Sequence, residues 1–207
     1  MRMDGWMRAG ALLSGVWLAG CSSFGQPAKP PTIYDIVPLT DEVRRFEVPI
    51  SRLEVHAPSW LASSAMQYRL VPVSPLERHI YATSRWAGMP AEMLESVFGR
   101  IIQTQPAANG SGCRLRVDLD EFIQHFESTD RSVGRIEMRV SLLSPRTDVL
   151  VAYRAFTLER PAPSADAAGG VEALREAVSQ LGLGVAQWLD TLENGDSRQN
   201  TVMRCSQ

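Results

Sequence analysis

The fold of this chain is decided by residues 113–143, which read CRLRVDLDEFIQHFESTDRSVGRIEMRVSLL. Apolar residues alternate with charged or polar ones from Cys113 to Asp120 and again from Arg135 to Leu142. Such strict alternation predicts two strands, each with one buried face and one solvated face. Ser128-Thr129-Asp130, which lies between them, has the composition of a turn. The segment therefore predicts an antiparallel pair of strands.

Further strands extend this pair on both sides in the sequence. Residues 149–158 follow the turn Ser144-Pro145-Arg146 and make the pair into a three-stranded antiparallel meander. Shorter alternating or β-branched segments precede it, and prolines separate several of them. These four predicted strands are residues 32–38, 50–56, 66–71 and 78–82.

Two amphipathic helices are predicted beside the strands. The first starts at Pro90, which suits a first helical turn, and has an apolar stripe of Leu94, Val97, Phe98, Ile101 and Ile102. The second covers about residues 166–193 and repeats apolar residues with a 3-4 spacing over three heptads. That stripe fits a coiled coil or a helix on a sheet, and three heptads are short for a coiled coil. We therefore predict one α/β domain over residues 32–207, with a mixed, mostly antiparallel sheet covered by two main helices.

The N-terminal segment predicts membrane anchoring. Leu18-Ala19-Gly20-Cys21 resembles a lipobox, at which a bacterial signal peptide is cut so that the cysteine becomes the lipid-modified first residue. Arg2 and Arg8 form a basic start, and residues 9–20 form an apolar run that is too short to span a membrane. Residues 1–20 are thus a predicted lipoprotein signal peptide; the alternative is an ordinary signal peptide followed by a chance cysteine.

Cys21 is the predicted lipidation site, carrying fatty acyl chains such as palmitate. Residues 21–31 are rich in proline and form a predicted flexible linker between this anchor and the folded domain. Ser22 stands where an aspartate would resemble an inner-membrane retention signal. The sequence therefore favours the outer membrane, with the domain facing the periplasm.

The chain has three cysteines, and acylation of Cys21 leaves Cys113 and Cys205 as an even pair. An oxidising compartment permits a disulfide between them. The chain-entropy model gives such a bridge a stabilising effect of about 4 kcal/mol. Two unpaired thiols are the alternative, because a sequence does not show whether the two Cα atoms approach closely enough.

Charge and motifs argue against several function classes. The formal net charge is −2, with no basic run that could track a phosphate backbone, so nucleic acid is not a predicted partner. His56, His79 and His125 are far apart in sequence and lack metal-ligand spacing, which favours surface positions on strands. Asp118 and Asp120 alternate on one strand with arginines, which indicates a charge-mixed surface. We predict no catalytic residues, no cofactor, no metal and hence no enzyme.

Several motifs, taken in order, resemble a known family. Tyr34-Asp35-Ile36 follows the linker as an early Tyr-x-(Leu/Ile) strand. Leucine is commoner than isoleucine at the motif position that Ile36 occupies. Two strands then lead into a turn that contains Trp86, followed by a Leu-rich helix with Pro90 and Leu94. A final amphipathic helix contains Trp188. In this order, and with the lipobox, the chain resembles the ABC-type transport auxiliary lipoproteins, of which the PqiC-like intermembrane transport lipoproteins are the best-known members.

The resemblance covers residues 32–193 and implies an α/β domain that acts without catalysis. Family members work with an inner-membrane ABC permease and ATPase and with a periplasmic MCE-type protein that conducts lipids between membranes. This implies an outer-membrane docking subunit, and copies could close into a homo-oligomeric ring. The alternatives are a lipid carrier that holds an acyl chain between helix and sheet, and a structural envelope lipoprotein. Trp86, Pro90 and Leu94 would form the structural signature, with Trp86 either at a contact surface or buried between the fourth strand and the first helix.

Overall fold

The structure, a computed structural model, describes residues 30–108, 111–195 and 198–206. These residues form nine strands and three α-helices. The strands are β1 (Thr32–Tyr34), β2 (Arg44–Arg45), β3 (Ile50–His56), β4 (Ala65–Leu70), β5 (His79–Trp86), β6 (Ile102–Gln103), β7 (Cys113–Phe126), β8 (Ser132–Leu143) and β9 (Leu150–Pro161). The helices are α1 (Pro90–Ile101), α2 (Ala167–Asn194) and α3 (Arg198–Cys205), and a short 3-10 helix occupies Ser59–Leu61.

Seven of the described strands make one mixed sheet in the order β1-β5-β4-β7-β8-β9, with β3 also paired to β7. The strands β7, β8 and β9 form the predicted antiparallel meander. On its other edge β7 pairs with two parallel strands placed end to end, β3 against Cys113–Asp118 and β4 against Gln124–Phe126. The long meander makes the sheet mostly antiparallel, so the predicted fold class is confirmed.

The pairing directions assign each loop to one end of the sheet. The strands β4, β7 and β9 run in the same direction, because β4 is parallel to β7 and the two antiparallel steps through β8 make β9 parallel to it as well. Residues 71–78, 127–131 and 162–166 therefore lie at one end, which we call the 71–78 end. The turn at residues 144–149 lies at the opposite end.

A β-bulge at Asp120 changes the face that β7 presents to the helices. The pairing between β7 and β8 shifts between Leu119 and Glu121. Before the bulge the odd-numbered residues face the core, whereas after it Phe122 does so and makes an edge contact with Trp86 at 5.4 Å between ring centroids. Alternation then places Glu121 on the opposite face.

Both main helices begin with side-chain or proline signals near their first turn. Pro90 occupies the start of α1, and the Glu92 carboxylate accepts a hydrogen bond from the Met89 backbone N–H at 3.2 Å. In α2 the Asp166 carboxylate caps the helix by accepting from the Gly169 N–H at 2.8 Å. The pKa of Asp166 is lowered by this bond and by a second one from a serine hydroxyl. Capping satisfies backbone donors that the first helical turn leaves free.

The two main helices lie close to the sheet and to each other on one face. A Cβ added to Gly134 of β8 would stand 2.9 Å from the Leu174 backbone nitrogen of α2, so only glycine allows this approach. A Cβ on Gly182 would stand 2.5 Å from the Ile101 side chain of α1. Side chains with no exposed surface fill the interior, among them Leu94, Phe98, Leu115, Val117, Val140, Val178 and Val185.

Several element bounds differ from the predicted ones because of long-range pairing. The fourth predicted strand, 78–82, extends to Trp86, since Trp86 pairs with Tyr34 of β1 and its N–H donates to the Ser64 carbonyl. Trp86 therefore ends a strand and does not lie in a turn, which corrects the prediction. The strand predicted for 32–38 ends at Tyr34, after which Ile36 is buried in the core without being in a strand.

Four small elements were not predicted: β2, β6, α3 and the 3-10 helix Ser59–Leu61. Ile102 does not extend the stripe of α1 but begins β6, which pairs with β2 as a separate two-stranded parallel sheet. The helix α3 near the C-terminus is also additional, and it packs against α2 and β9. No helix within the described ranges is long and apolar enough to cross a membrane.

Candidate functional site

The face of the sheet opposite α1 and α2 is covered with ion pairs, some within one strand and some between neighbouring elements. We call it the ion-pair face and define it by these pairs: Arg52–Glu54, Arg69–Glu121, Arg78–Glu121, Arg116–Asp118, Arg139–Asp120, Arg135–Glu137 and Arg135–Glu159. Alternation explains it, because every second residue of these strands points away from the helices. The face is charge-mixed, so it offers specificity of contact and no net attraction for one sign of charge.

The most buried ion-pair cluster on this face, formed by Arg69, Arg78 and Glu121, ties the β4–β5 hairpin to β7. The Arg78 guanidinium donates to both oxygens of the Glu121 carboxylate at 2.8 Å, and Arg69 approaches the same carboxylate at 3.5 Å. The Glu121 side chain is 12% exposed. Removing one partner of a buried charge pair leaves the other uncompensated, so this cluster holds the hairpin in place.

A groove of about 350 Å³ opens on the ion-pair face beside the 3-10 helix. It is lined by His56, Ala57, Pro58, Trp60, Arg116, Asp118, Leu119, Asp120 and Arg139. Trp60 is 54% exposed, although its neighbour Leu61 is buried and anchors the short helix. The Trp60 carbonyl accepts a hydrogen bond from the Gln67 side chain at 2.6 Å. This Trp60 groove therefore presents a large aromatic side chain from a fixed backbone.

The charged walls of the groove are preorganised. The Arg139 guanidinium makes two hydrogen bonds to Asp120, at 2.7 and 2.8 Å, and Arg116 donates to Asp118 at 2.8 Å. These hydrogen bonds raise the pKa of both arginines, which stay charged. Trp and Arg are the residue types most enriched in the energetically dominant parts of protein interfaces. The groove is suited to contact with a protein.

Sequence reasoning placed Asp118 and Asp120 on a charge-mixed surface but did not single out Trp60. The structure puts both carboxylates in the Trp60 groove, each paired with an arginine. The sequence feature that could have pointed to Trp60 as a contact residue is its position as a lone tryptophan in segment 57–64, between two strands. Loops that a rigid sheet positions are where contact residues concentrate.

The three histidines lie apart on three different strands. His56 is on β3, His79 on β5 and His125 on β7. Burial and the nearby Arg69 lower the pKa of His125, which is therefore neutral at neutral pH. Across residues 30–108, 111–195 and 198–206, His, Cys, Asp and Glu side chains do not gather in threes as a metal site.

Cys113 and Cys205 are joined by a disulfide, with 4.7 Å between their Cα atoms. Both are fully buried. Cys113 begins β7 and Cys205 ends α3, so the bridge fastens the C-terminal helix to the central strand of the sheet. Cys21, the predicted lipidation site, lies outside the described residues.

The predicted signature residues Trp86, Pro90 and Leu94 lie together where β5 passes into α1. All three are buried, and Trp86 is only 4% exposed. This favours the interpretation of Trp86 as a buried anchor over that of a contact residue. Trp188 of α2 is also buried and makes an edge contact with Phe156 at 6.5 Å between ring centroids.

Comparison with known proteins identifies the family. The model of the ABC-type transport auxiliary lipoprotein component matches residues 45–186. The chain belongs to this family. The match confirms the resemblance seen in the sequence, and it includes the Trp60 groove, the signature residues and Cys113. It ends before helix α3 and Cys205.

Solved structures show the same fold as this auxiliary lipoprotein. A crystal structure of a Xanthomonas campestris protein of the DUF330 family is 24% identical, covers 79% of this chain and 98% of its own, and has a TM-score of 0.64. An uncharacterized protein of known crystal structure is 16% identical, covers 78% of this chain and 99% of its own, and has a TM-score of 0.59. No curated protein matches the sequence.

Proposed function

We propose that this chain is an outer-membrane-anchored, non-catalytic docking subunit of an ABC/MCE-type lipid transport system. The observation that carries the proposal is the Trp60 groove, in which an exposed tryptophan lies among paired charges on a face that the two main helices leave free. The family supplies the transport context. The lipobox that ends at Cys21 supports the anchor, and Ser22 supports the outer membrane.

The partner in this proposal is the periplasmic MCE-type protein, which works with the inner-membrane permease and ATPase. A partner surface that stacks on Trp60 and matches the alternating charges would gain both hydrophobic contact and register. The interior between helices and sheet is filled by fully buried side chains such as Phe98 and Val178. An acyl chain would have to displace them, and this weighs against the lipid carrier.

Replacing Trp60 with alanine is expected to weaken binding to the MCE-type protein at least about tenfold, since truncation of a central interface tryptophan has an effect of this size. The fold should be unaffected because Trp60 is 54% exposed. Binding is measured by biolayer interferometry with the purified full chain in detergent and the periplasmic MCE-type protein from the same genome. Met203→Ala, which truncates a side chain of similar exposure on α3, is the matched control.

Two results would count against the docking role. Equal affinities of wild-type, Trp60→Ala and Met203→Ala proteins would show that the groove is not the docking surface. Stoichiometric lipid in the purified protein, detected by mass spectrometry, together with no binding to the MCE-type protein would instead favour the carrier.

A further inference from the structure

The loop between β4 and β5, residues 71–78 with the sequence VPVSPLER, exposes aliphatic side chains at one end of the sheet. Val73 is 81% exposed and Leu76 is 92% exposed, the two highest values among the exposed large hydrophobic residues described. Soluble proteins commonly expose single apolar residues, so exposure alone carries little weight. Here two such residues stand together on one short loop.

The loop holds these side chains out on a structured backbone. The Val71 N–H donates to the Phe126 carbonyl at 3.1 Å, which fixes the start of the loop to β7. The Arg69 guanidinium donates to the Pro75 carbonyl at 3.1 Å, and Pro72 further restricts the backbone. Little conformational entropy is therefore lost when the loop makes a contact.

The direction of β1 places the start of the folded domain toward this loop. Strand β1 is parallel to β5, and Thr32 pairs with Ser84. Since β5 begins at His79, directly after the loop, Thr32 marks the end of β1 that is nearer to the 71–78 end. Five residues of strand separate Ser84 from His79, a distance of roughly 17 Å.

The anchor is able to reach the level of the loop. Residues 21–31 span at most about 40 Å when fully extended. With the acyl group that the proposed function assigns to Cys21 held in a bilayer, the 71–78 end is thus within reach of the bilayer surface. The following inference rests on that acylation.

We infer that the 71–78 loop inserts Val73 and Leu76 into the surface of the membrane that holds the lipid anchor. The contact would fix the orientation of the domain, with the 144–149 turn pointing away from the bilayer. A lipid anchor combined with a second membrane contact holds a protein more firmly than one signal alone.

A bilayer suits this loop better than a protein partner does. Two aliphatic side chains present far less than the about 800 Å² per partner that a specific protein interface buries. Electrostatic attraction to lipid phosphates does not drive the contact, because acidic groups outnumber basic ones in the three loops of this end: Glu77, Glu127, Asp130 and Asp166 against Arg78 and Arg131. Arg78 is moreover held by Glu121. Salt should therefore have little effect on the contact with a bilayer of uncharged phosphatidylcholine and phosphatidylethanolamine.

The inference is tested with a fluorophore that reports on the polarity around one side chain. Leu76→Cys introduces a thiol that can be labelled with NBD, because Cys113 and Cys205 are bridged and acylation occupies Cys21. Val149→Cys is the matched control, since Val149 is also an exposed aliphatic residue and lies in the turn at the opposite end. The full acylated chain is bound to vesicles of phosphatidylcholine and phosphatidylethanolamine, with and without doxyl-labelled lipid.

We expect the label at the Leu76 position to emit at shorter wavelength, to brighten severalfold and to be quenched by doxyl lipid, at low and high salt alike. The emission wavelength and intensity of the label at the Val149 position should stay the same as in water. An unchanged Leu76 label on acylated, vesicle-bound protein would overturn the inference. So would equal changes at both positions, or a change that needs the MCE-type protein and no vesicles. Mass spectrometry of the acyl group and partner binding test the proposed function separately from the label.

Discussion

Replacing Cys113 and Cys205 together with alanine is expected to lower the free energy of unfolding by about 4–5 kcal/mol. The bridge joins residues 92 positions apart, and the chain-entropy model gives this value for a loop of that length. Because α3 buries only two residues, Thr201 and Cys205, its attachment should depend strongly on the bridge. The measurement is urea unfolding of the wild-type protein and the double variant, followed by circular dichroism.

The matched control for the disulfide is the same titration in the presence of a thiol reductant. Reduction should destabilise the wild-type protein by about the amount that the double substitution does, and it should leave the Cys113→Ala/Cys205→Ala variant unchanged. A variant as stable as the wild-type protein would show that the bridge does not hold the C-terminal helix to the sheet.

Replacing Trp86 with alanine is expected to cost about 3–5 kcal/mol of unfolding free energy, as for other large buried aromatic residues. Trp86 is 4% exposed and contacts Phe122 at the point where β5 passes into α1. Its removal would leave a cavity between the sheet and the first helix. The loss is a large part of the stability of a typical domain, which is about 5–15 kcal/mol.

Trp60→Ala is the matched control for this substitution, because the same side chain is removed from a position that is 54% exposed. Its effect on the unfolding free energy should stay within about 0.5 kcal/mol. Equal costs for the two tryptophans in thermal or urea unfolding would contradict their assignment as one buried anchor and one contact residue.

The local sequence pattern was sufficient for the long elements of the fold. Strict alternation predicted the cores of β7 and β8, and the 3-4 spacing with Asp166 in front predicted α2 to within a residue at each end. These elements are long enough for the hydrophobic period to be recognised even though single residues depart from it. The family resemblance was equally visible, because it depends on the order of such elements.

The features that were missed depend on pairing between distant residues. The bulge at Asp120 arises from the register between β7 and β8, and no local pattern marks it. The end-to-end placement of β3 and β4 along β7 is likewise a property of the assembled sheet. Helix α3, eight residues long, has little stability of its own and forms where α2, β9 and the disulfide hold it.

The candidate site was accessible only in part. The charges of the ion-pair face follow from alternation. The Trp60 groove could not be predicted in this way, because it forms only when segment 57–64 lies beside β7 and β8. Neither Trp60 nor Trp86 is marked as exposed or buried by its local sequence. In the structure Trp60 is exposed and Trp86 is buried. Burial is decided by tertiary packing, so Trp60, the proposed contact residue, could not be chosen before the structure was known.

The central claim, docking through the Trp60 groove, is tested most directly by photo-crosslinking in cells. A benzoylphenylalanine placed at position 60 of the full-length lipoprotein would be irradiated in the native envelope, with position 187 on the exposed side of α2 as the control. We expect a crosslinked product with the MCE-type protein from position 60 and none from position 187. The absence of that product from position 60, or equal yields from both positions, would contradict the account.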